Sequence, residues 1–148
     1  MNYPLFSHEY YMNEALKEAI TAYDRDEVPV GAVIVCNKKI IARAYNLTET
    51  LTDTTAHAEM QAITMASNAL GSKYLNECSL YVTLEPCIMC AGALYWSQIG
   101  ELVYGANDTK RGFTLLKDTI LHPKTQIILN ILAHESEMLL KDFFKKKR

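Results

Sequence analysis

Two short segments carry residue types that can bind a metal ion and move a proton. The first contains His57 and Glu59, and the second contains Cys87 and Cys90. The two cysteines are three residues apart at the predicted start of a helix, so their sulfur atoms lie on one face. Amides at a helix N-terminus lower the pKa of a thiol, and metal ions bind thiolates. The pattern therefore predicts a metal site at this helix start.

One imidazole added to the two thiolates makes a zinc site with an open position. Zinc held by one His and two Cys leaves its fourth tetrahedral position to water, which is typical of catalytic rather than structural sites. His57 also begins a predicted helix, and α/β folds place ligands where helix starts meet beyond a sheet edge. Glu59 follows His57 by two residues. We expect it to hydrogen-bond the metal-bound water without being a ligand.

Other interpretations of the cysteines are open. The Cys87–Cys90 pair would also suit redox chemistry, and a structural zinc would result if Cys78 or His122 completed four ligands. The His-x-Glu segment favours the catalytic interpretation, because neither alternative requires it. Cys36 lies in an apolar run and is interpreted, like Cys78, as a small buried side chain.

The composition is that of a globular protein. The chain has 148 residues, of which 49% are hydrophobic and 22% are charged, which excludes disordered and fibrous classes and fits one domain spanning residues 1–148. Its longest apolar runs are about ten residues, half of what a membrane span needs. The N-terminus has no basic residue before Lys17 and no apolar segment of a secretory signal. We expect a cytoplasmic protein without membrane contact.

Charge is distributed unevenly along the chain. The formal net charge is −2, yet residues 141–148 carry five positive charges and one negative charge. Such a terminal run is usually a solvated chain end, but it can also contact phosphates.

Hydrophobic spacing and turn residues predict an α/β fold. Helices are predicted over residues 8–24, 56–70, 86–98 and 132–144, with Pro86 in the first turn of the third, and strands over residues 30–36, 40–46, 79–83, 101–105 and 126–129. The first two strands form a hairpin, and the third and fourth should be parallel because a helix connects them. Residues 106–125 are expected to form a loop with a short helix. The prediction is a mixed five-stranded sheet with helices on its faces.

The joint pattern resembles a known family. His-x-Glu followed by Pro-Cys-x-x-Cys is the signature of zinc-dependent deaminases. Residues 28–33, 55–59, 80–87, 89–93 and 142–144 look like the bacterial tRNA-specific adenosine deaminase family. That family converts the wobble adenosine of an arginine tRNA anticodon to inosine, as a homodimer with one zinc per subunit. The resemblance implies a three-layer α/β/α cytidine-deaminase-like fold, hydrolysis of a cyclic amidine and the tRNA anticodon stem-loop as partner.

The resemblance also implies roles for individual residues. Zinc ligands are matched by His57, Cys87 and Cys90, and Glu59 matches the proton shuttle that serves a zinc-bound water as nucleophile. Contacts with the base and the RNA are implied for Asn46, Val30, the Ala56 backbone, Asp108, Phe143 and Phe144. Core packing of the last helix is an equal alternative for the two phenylalanines. Asn107 and residues 111–114 depart from the family's usual pattern, which leaves the RNA contacts of this loop open.

Two other functions are compatible with the same motif. Deaminases of free guanine, cytosine or nucleosides share it, but Thr55-Ala56, Ala91-Gly92-Ala93 and the aromatic and basic tail favour the tRNA enzymes. A non-enzymatic zinc-stabilised interaction module is the third hypothesis, and ammonia release from any substrate would exclude it.

Overall fold

Alternating helices and strands build one mixed sheet in the computed structural model, which describes residues 2–148. The helices are α1 (His8–Asp24), α2 (Ala58–Leu70), α3 (Ile88–Ser97) and α4 (Ala133–Lys146). The strands are β1 (Gly31–Cys36), β2 (Lys39–Tyr45), β3 (Cys78–Leu84), β4 (Glu101–Ala106) and β5 (Gln126–Ile128). A short 3-10 helix, Phe113–Leu115, lies in the connection after β4. Among the described residues, no helix is long and apolar enough to cross a membrane.

The sheet has the predicted mixture of strand directions. Within residues 2–148 its order is β2-β1-β3-β4-β5, with β1 antiparallel to β2 and β3. Strand β4 is parallel to both β3 and β5. Asn37 and Lys38 connect β1 to β2 with φ angles of 51° and 65°, and positive φ at both central residues matches the twist of a tight hairpin. The predicted hairpin and the parallel β3-α3-β4 unit are confirmed.

Helices cover both faces of the sheet. On one face, α1 packs against β1, β3 and β4 through a cluster that includes Met12, Ala15, Val33, Tyr81 and Val103. Helices α2 and α3 cover the other face through a larger cluster that includes Ile34, Ala62, Leu80, Leu94 and Leu102. The central strands are therefore buried on both sides, as in other α/β sheets with parallel strands. This arrangement confirms the expected three layers.

Most helix ends follow local signals, but α2 and α3 each begin two residues later than the sequence prediction. Ser7 accepts the N–H of Tyr10 at 3.1 Å and caps α1, and α2 ends at Gly71 with a left-handed φ of 65°. Helix α3 begins at Ile88, two residues later than expected, and the Cys87 backbone before it is extended rather than helical. The Pro86 carbonyl accepts the N–H of Phe113, and Cys87 pairs with Gly112. The strand-like pairing of residues 86–87 with residues 112–113 thus shifts the start of α3 to Ile88.

Candidate metal centre and substrate pocket

The N-termini of α2 and α3 bring one imidazole and two thiols together. His57 Nδ1 lies 3.7 Å from Cys87 Sγ and 3.5 Å from Cys90 Sγ. His57 and Cys87 are the N-cap residues of the two helices and have extended backbones. Cys90 lies one turn into α3 and is fully buried. The convergence predicted from the spacing of these residues is confirmed.

The donor set fits a zinc ion. Zn–S bonds of about 2.3 Å and Zn–N bonds of about 2.0 Å place tetrahedral donors roughly 3.5 Å apart, which is the separation seen between the imidazole nitrogen and each sulfur. One imidazole with two thiolates is a donor set that zinc favours. Neither Cys78 nor His122 belongs to the cluster. Three protein donors therefore leave a coordination position for water.

The two thiols of the cluster shift each other's pKa in opposite directions. The hydrogen bond from Cys90 lowers the pKa of Cys87 far below its usual value, and His57 lowers it further. The same contact and burial raise the pKa of Cys90. The hydrogen bond with Cys87 raises the pKa of His57. Because metal ligands must be deprotonated, binding of a cation would displace the proton of Cys90.

Glu59 lies beside the cluster and is almost completely buried. It belongs to the first turn of α2, and only 4% of it is exposed. Burial raises the pKa of Glu59 to about 7, although the charge of His57 and a hydrogen bond with Cys90 oppose the rise. A carboxyl group with a pKa near neutrality can both accept and return a proton at working pH.

A pocket of about 500 Å³ opens next to the cluster. Three of the residues expected to contact the target nucleotide, Val30 and Asn46 at the base and Asp108 at the ribose, line it together with His57 and Glu59. The side-chain amide of Asn46 donates to the Val28 carbonyl at 3.4 Å, and its oxygen accepts the N–H of Thr48 at 3.3 Å. These contacts fix the orientation of the amide at the pocket wall. Thr48 and Thr54 also line it without a sequence signal, and Met89 and Arg111 line it from segments 89–93 and 111–114.

The remaining expected contact residues do not line this pocket. Ala56 is buried, and its carbonyl accepts the N–H of Leu47 and the side-chain amide of Gln61. Phe143 is 6% exposed and packs edge-on against Tyr23 at 5.9 Å. Phe144, in contrast, is 48% exposed. The structure therefore presents Phe144 at the surface and places Phe143 in the packing of α4.

A basic groove continues from the pocket towards the C-terminus. It shares Val28, Leu84, Asp108 and Arg111 with the pocket. Its other lining residues are mostly basic or apolar: Lys110, Leu140, Lys141, Phe144, Lys145, Lys147 and Arg148. The basic residues near the C-terminus, which the sequence alone would place in a solvated chain end, thus form one wall of a groove that joins the pocket at the metal site.

Two buried carboxylates support the loops around the pocket. Glu27 is fully buried, and Glu85 is 2% exposed. Glu27 lies in what the sequence indicates to be a polar loop, and no local pattern predicts its burial. Glu85 precedes Pro86 and Cys87, a position that draws attention to it without revealing its partners.

Comparison with known proteins identifies relatives of this chain. Residues 6–106 match the family model described as the cytidine and deoxycytidylate deaminase zinc-binding region. The tRNA-specific adenosine deaminase of Aquifex aeolicus is 47% identical over 145 residues, which cover 95% of each chain.

Two solved structures resemble this fold over different shares of the chain. One comes from work on A-to-I editing by tRNA:A34 deaminases at the wobble position of transfer RNA. It superposes with a TM-score of 0.83 and 43% identity, and the match covers 88% of this chain and 99% of that one. The guanine deaminase of Bacillus subtilis superposes with a TM-score of 0.67 and 40% identity, covering 70% of this chain and 66% of that one. The first match confirms the cytidine-deaminase-like fold.

Proposed function

Because this chain belongs to the cytidine and deoxycytidylate deaminase zinc-binding family, we propose that it hydrolyses adenosine to inosine at the wobble position of a tRNA anticodon. The observation that carries the proposal is the buried Glu59 beside the cluster of His57, Cys87 and Cys90 in an open pocket. Similarity to a tRNA-specific adenosine deaminase over nearly the whole chain supports RNA as the substrate. An arginine tRNA is the species that the resemblance implies.

The residues around the cluster would divide the chemistry between them. His57, Cys87 and Cys90 would hold a zinc ion, which supplies the Lewis acidity that makes water a nucleophile near neutral pH. Glu59 accepts the proton released as the water oxygen adds to C6 of adenine. It delivers this proton to N1, and it then takes the proton of the new C6 hydroxyl and passes it to the departing amino group, so that water and adenosine give inosine and ammonia.

The pocket walls would hold the base that is turned out of the RNA. Asn46 is oriented by Val28 and Thr48, so its amide can hydrogen-bond an edge of the purine. Val30 contributes apolar surface, and Asp108 stands on the opposite loop, where the ribose would lie. The Ala56 backbone leads directly into His57 and sets the position of this ligand against the base.

The basic groove would bind the nucleotides beside the target. Lysine and arginine side chains contact phosphates without reading sequence, and the groove carries Lys110, Arg111, Lys141 and Lys145 among others. Exposed aromatic rings provide stacking surfaces for unpaired bases. Phe144 would supply such a surface, while Phe143 holds α4 in place by packing on Tyr23.

Two further expectations follow from the resemblance. We propose that the protein acts as a homodimer and that it works in the cytoplasm, where its RNA substrate is found. Sedimentation of the zinc-loaded protein at micromolar concentration would test the first, with a single species of twice the chain mass as the expected result.

A parallel substrate assay tests the proposed function. The zinc-loaded protein is incubated with an arginine tRNA anticodon stem-loop, adenosine, guanine and cytidine, and each product is quantified. We expect inosine from the stem-loop at a far higher kcat/KM than any product from the free compounds. The 40% identity to a guanine deaminase makes guanine the informative competitor. Faster release of ammonia from guanine would favour that activity instead.

A further inference from the structure

The two buried carboxylates form the same set of hydrogen bonds with two different loops. One oxygen of Glu27 accepts the N–H of Glu49 at 3.0 Å, and the other accepts the N–H and the hydroxyl of Thr50 at 2.7 and 2.6 Å. One oxygen of Glu85 accepts the N–H of Asp108 at 3.0 Å, and the other accepts the N–H and the hydroxyl of Thr114 at 2.9 and 2.7 Å. Each carboxylate thus anchors one loop beside the pocket.

The loop held by Glu85 is tightly organised. The Asp108 side chain accepts the N–H groups of Lys110 and Arg111, both at 3.0 Å, and the Asp108 carbonyl accepts the N–H of Gly112 at 3.0 Å. Gly112 leaves room for the anchor, because a Cβ at this position would lie 2.3 Å from the Glu85 carboxyl group. The turn is therefore folded around the anchor and allows no side chain there.

The same anchor joins this loop to the segment that carries a metal ligand. Glu85 follows β3 directly, and its backbone N–H donates to the Ala106 carbonyl at 2.8 Å. Two residues later, Cys87 pairs with Gly112. Asp108 and Arg111 line both the pocket and the basic groove. Glu85 therefore fixes the position of the pocket wall, formed by Asp108 and Arg111, relative to the metal ligand Cys87.

We propose that Glu85 is a positioning residue for the RNA substrate: its buried carboxylate holds residues 108–114 so that Asp108 and Arg111 form the pocket wall. The proposal rests on the proposed function for the identity of the substrate. An amide in place of the carboxylate keeps one acceptor oxygen, so the donor or donors of either Asp108 or Thr114 face an NH2 group, which is unfavourable in a buried site. The loop then moves away from the pocket, while the ligands on α2 and α3 keep their places.

Kinetics and hydrogen exchange together test this role. Zinc-loaded Glu85→Gln is compared with wild type on the anticodon stem-loop, and backbone exchange of residues 107–114 is followed by mass spectrometry without substrate. We expect one zinc per chain, faster exchange in this segment, and a KM raised by about ten- to a hundredfold with a much smaller change in kcat, because misplaced positioning groups have effects of this size. Glu101→Gln is the matched control, since Glu101 accepts a hydrogen bond from Ser79 at the other end of β4 and should leave both measurements unchanged.

A double-mutant cycle separates positioning from a general loss of stability. If Glu85 acts through its loop, Asp108→Ala raises KM strongly in wild type and little in the Glu85→Gln background. Thr114→Val removes only the hydroxyl donor to Glu85, so it should give a smaller shift of KM in the same direction even if Glu85→Gln does not fold.

Three results would overturn the proposal. The first is a lower melting temperature with unchanged KM and unchanged exchange in residues 107–114, and the second is additive effects in the cycle. The third is loss of zinc from Glu85→Gln, because Glu85 would then support the ligands rather than the loop. If wild type does not act on the stem-loop, the proposed function fails, whereas the exchange measurement still decides whether Glu85 anchors the loop.

Discussion

Replacement of Glu59 by Gln separates proton transfer from packing and metal binding. Gln keeps the size of the side chain, and it can hydrogen-bond water, but it cannot accept a proton. Transfer by one general acid–base group contributes about 10²–10⁴-fold to a rate. Glu59 would serve several transfers in one turnover, so we expect kcat to fall by about 10⁴-fold or more.

The burial of Glu59 also predicts the direction of a stability change. Because burial raises the pKa of Glu59 to about 7, the ionised carboxylate destabilises the folded state. This destabilisation is absent below the unfolded pKa of about 4.3, grows as the pH rises and is complete above the folded pKa. After removal of zinc by a chelator, Glu59→Gln should therefore unfold with a free energy higher than wild type by on the order of 3 kcal/mol near pH 8, and nearly equal to it near pH 4.

The assay measures inosine formation, zinc content and urea unfolding for the same preparations. Glu101→Gln serves as the control carboxamide variant, because Glu101 lies at the far end of β4 from the pocket. Activity near wild type in Glu59→Gln would mean that another group, such as Glu85, moves the protons. Loss of zinc would mean that Glu59 is a fourth protein ligand, and the metal would then have no open coordination position for water.

Three further variants test the metal site, the tail and the second anchor. Cys90→Ala should lose zinc and activity, because two protein ligands rarely hold zinc tightly. The control variant Cys36→Ala should retain one zinc per chain. Full zinc content in Cys90→Ala, measured by elemental analysis, would contradict the assignment of Cys90 as a ligand. Deletion of residues 145–148 should weaken RNA binding and flatten its salt dependence because fewer counterions are released; an unchanged salt slope in a binding titration would make this segment a solvated end. Burial of Glu27 opposes ionisation of its carboxyl group, but the hydrogen bonds from Thr50 prevail and lower the pKa of Glu27. The ionised carboxylate therefore stabilises the folded state above about pH 4.3, and this stabilisation is lost as the pH falls through the folded pKa. Glu27→Gln should therefore unfold more easily than wild type near pH 7 by about 1–3 kcal/mol, with the two urea curves converging in acid; a gap independent of pH would refute this.

Local signals were sufficient for most of the secondary structure. The cap at Ser7 and the apolar spacing after it predict α1 with its observed bounds, and Asn37 and Lys38 mark the hairpin turn. These features depend on residues close together in the sequence. The start of α3 is different, because the two residues before it are held by contacts with Phe113 and Gly112, which no local pattern encodes.

The same distinction applies to the candidate site. Residue type and spacing were enough to predict the cluster of His57, Cys87 and Cys90, since each ligand lies at a helix start. The burial of Glu27 was not predictable, because its partners are more than twenty residues away in the loop after β2. The one-domain assignment and the individual substrate contacts stay predictions.

The measurement that tests the central claim most directly locates the product and the source of its oxygen. The zinc-loaded protein is incubated with an anticodon stem-loop in water enriched in oxygen-18, and the RNA is digested and analysed by mass spectrometry. Hydrolytic deamination predicts one oxygen-18 atom in each inosine, with inosine confined to the wobble position. Unlabelled inosine, inosine at other adenosines, or no inosine from a zinc-loaded and folded protein would contradict the account.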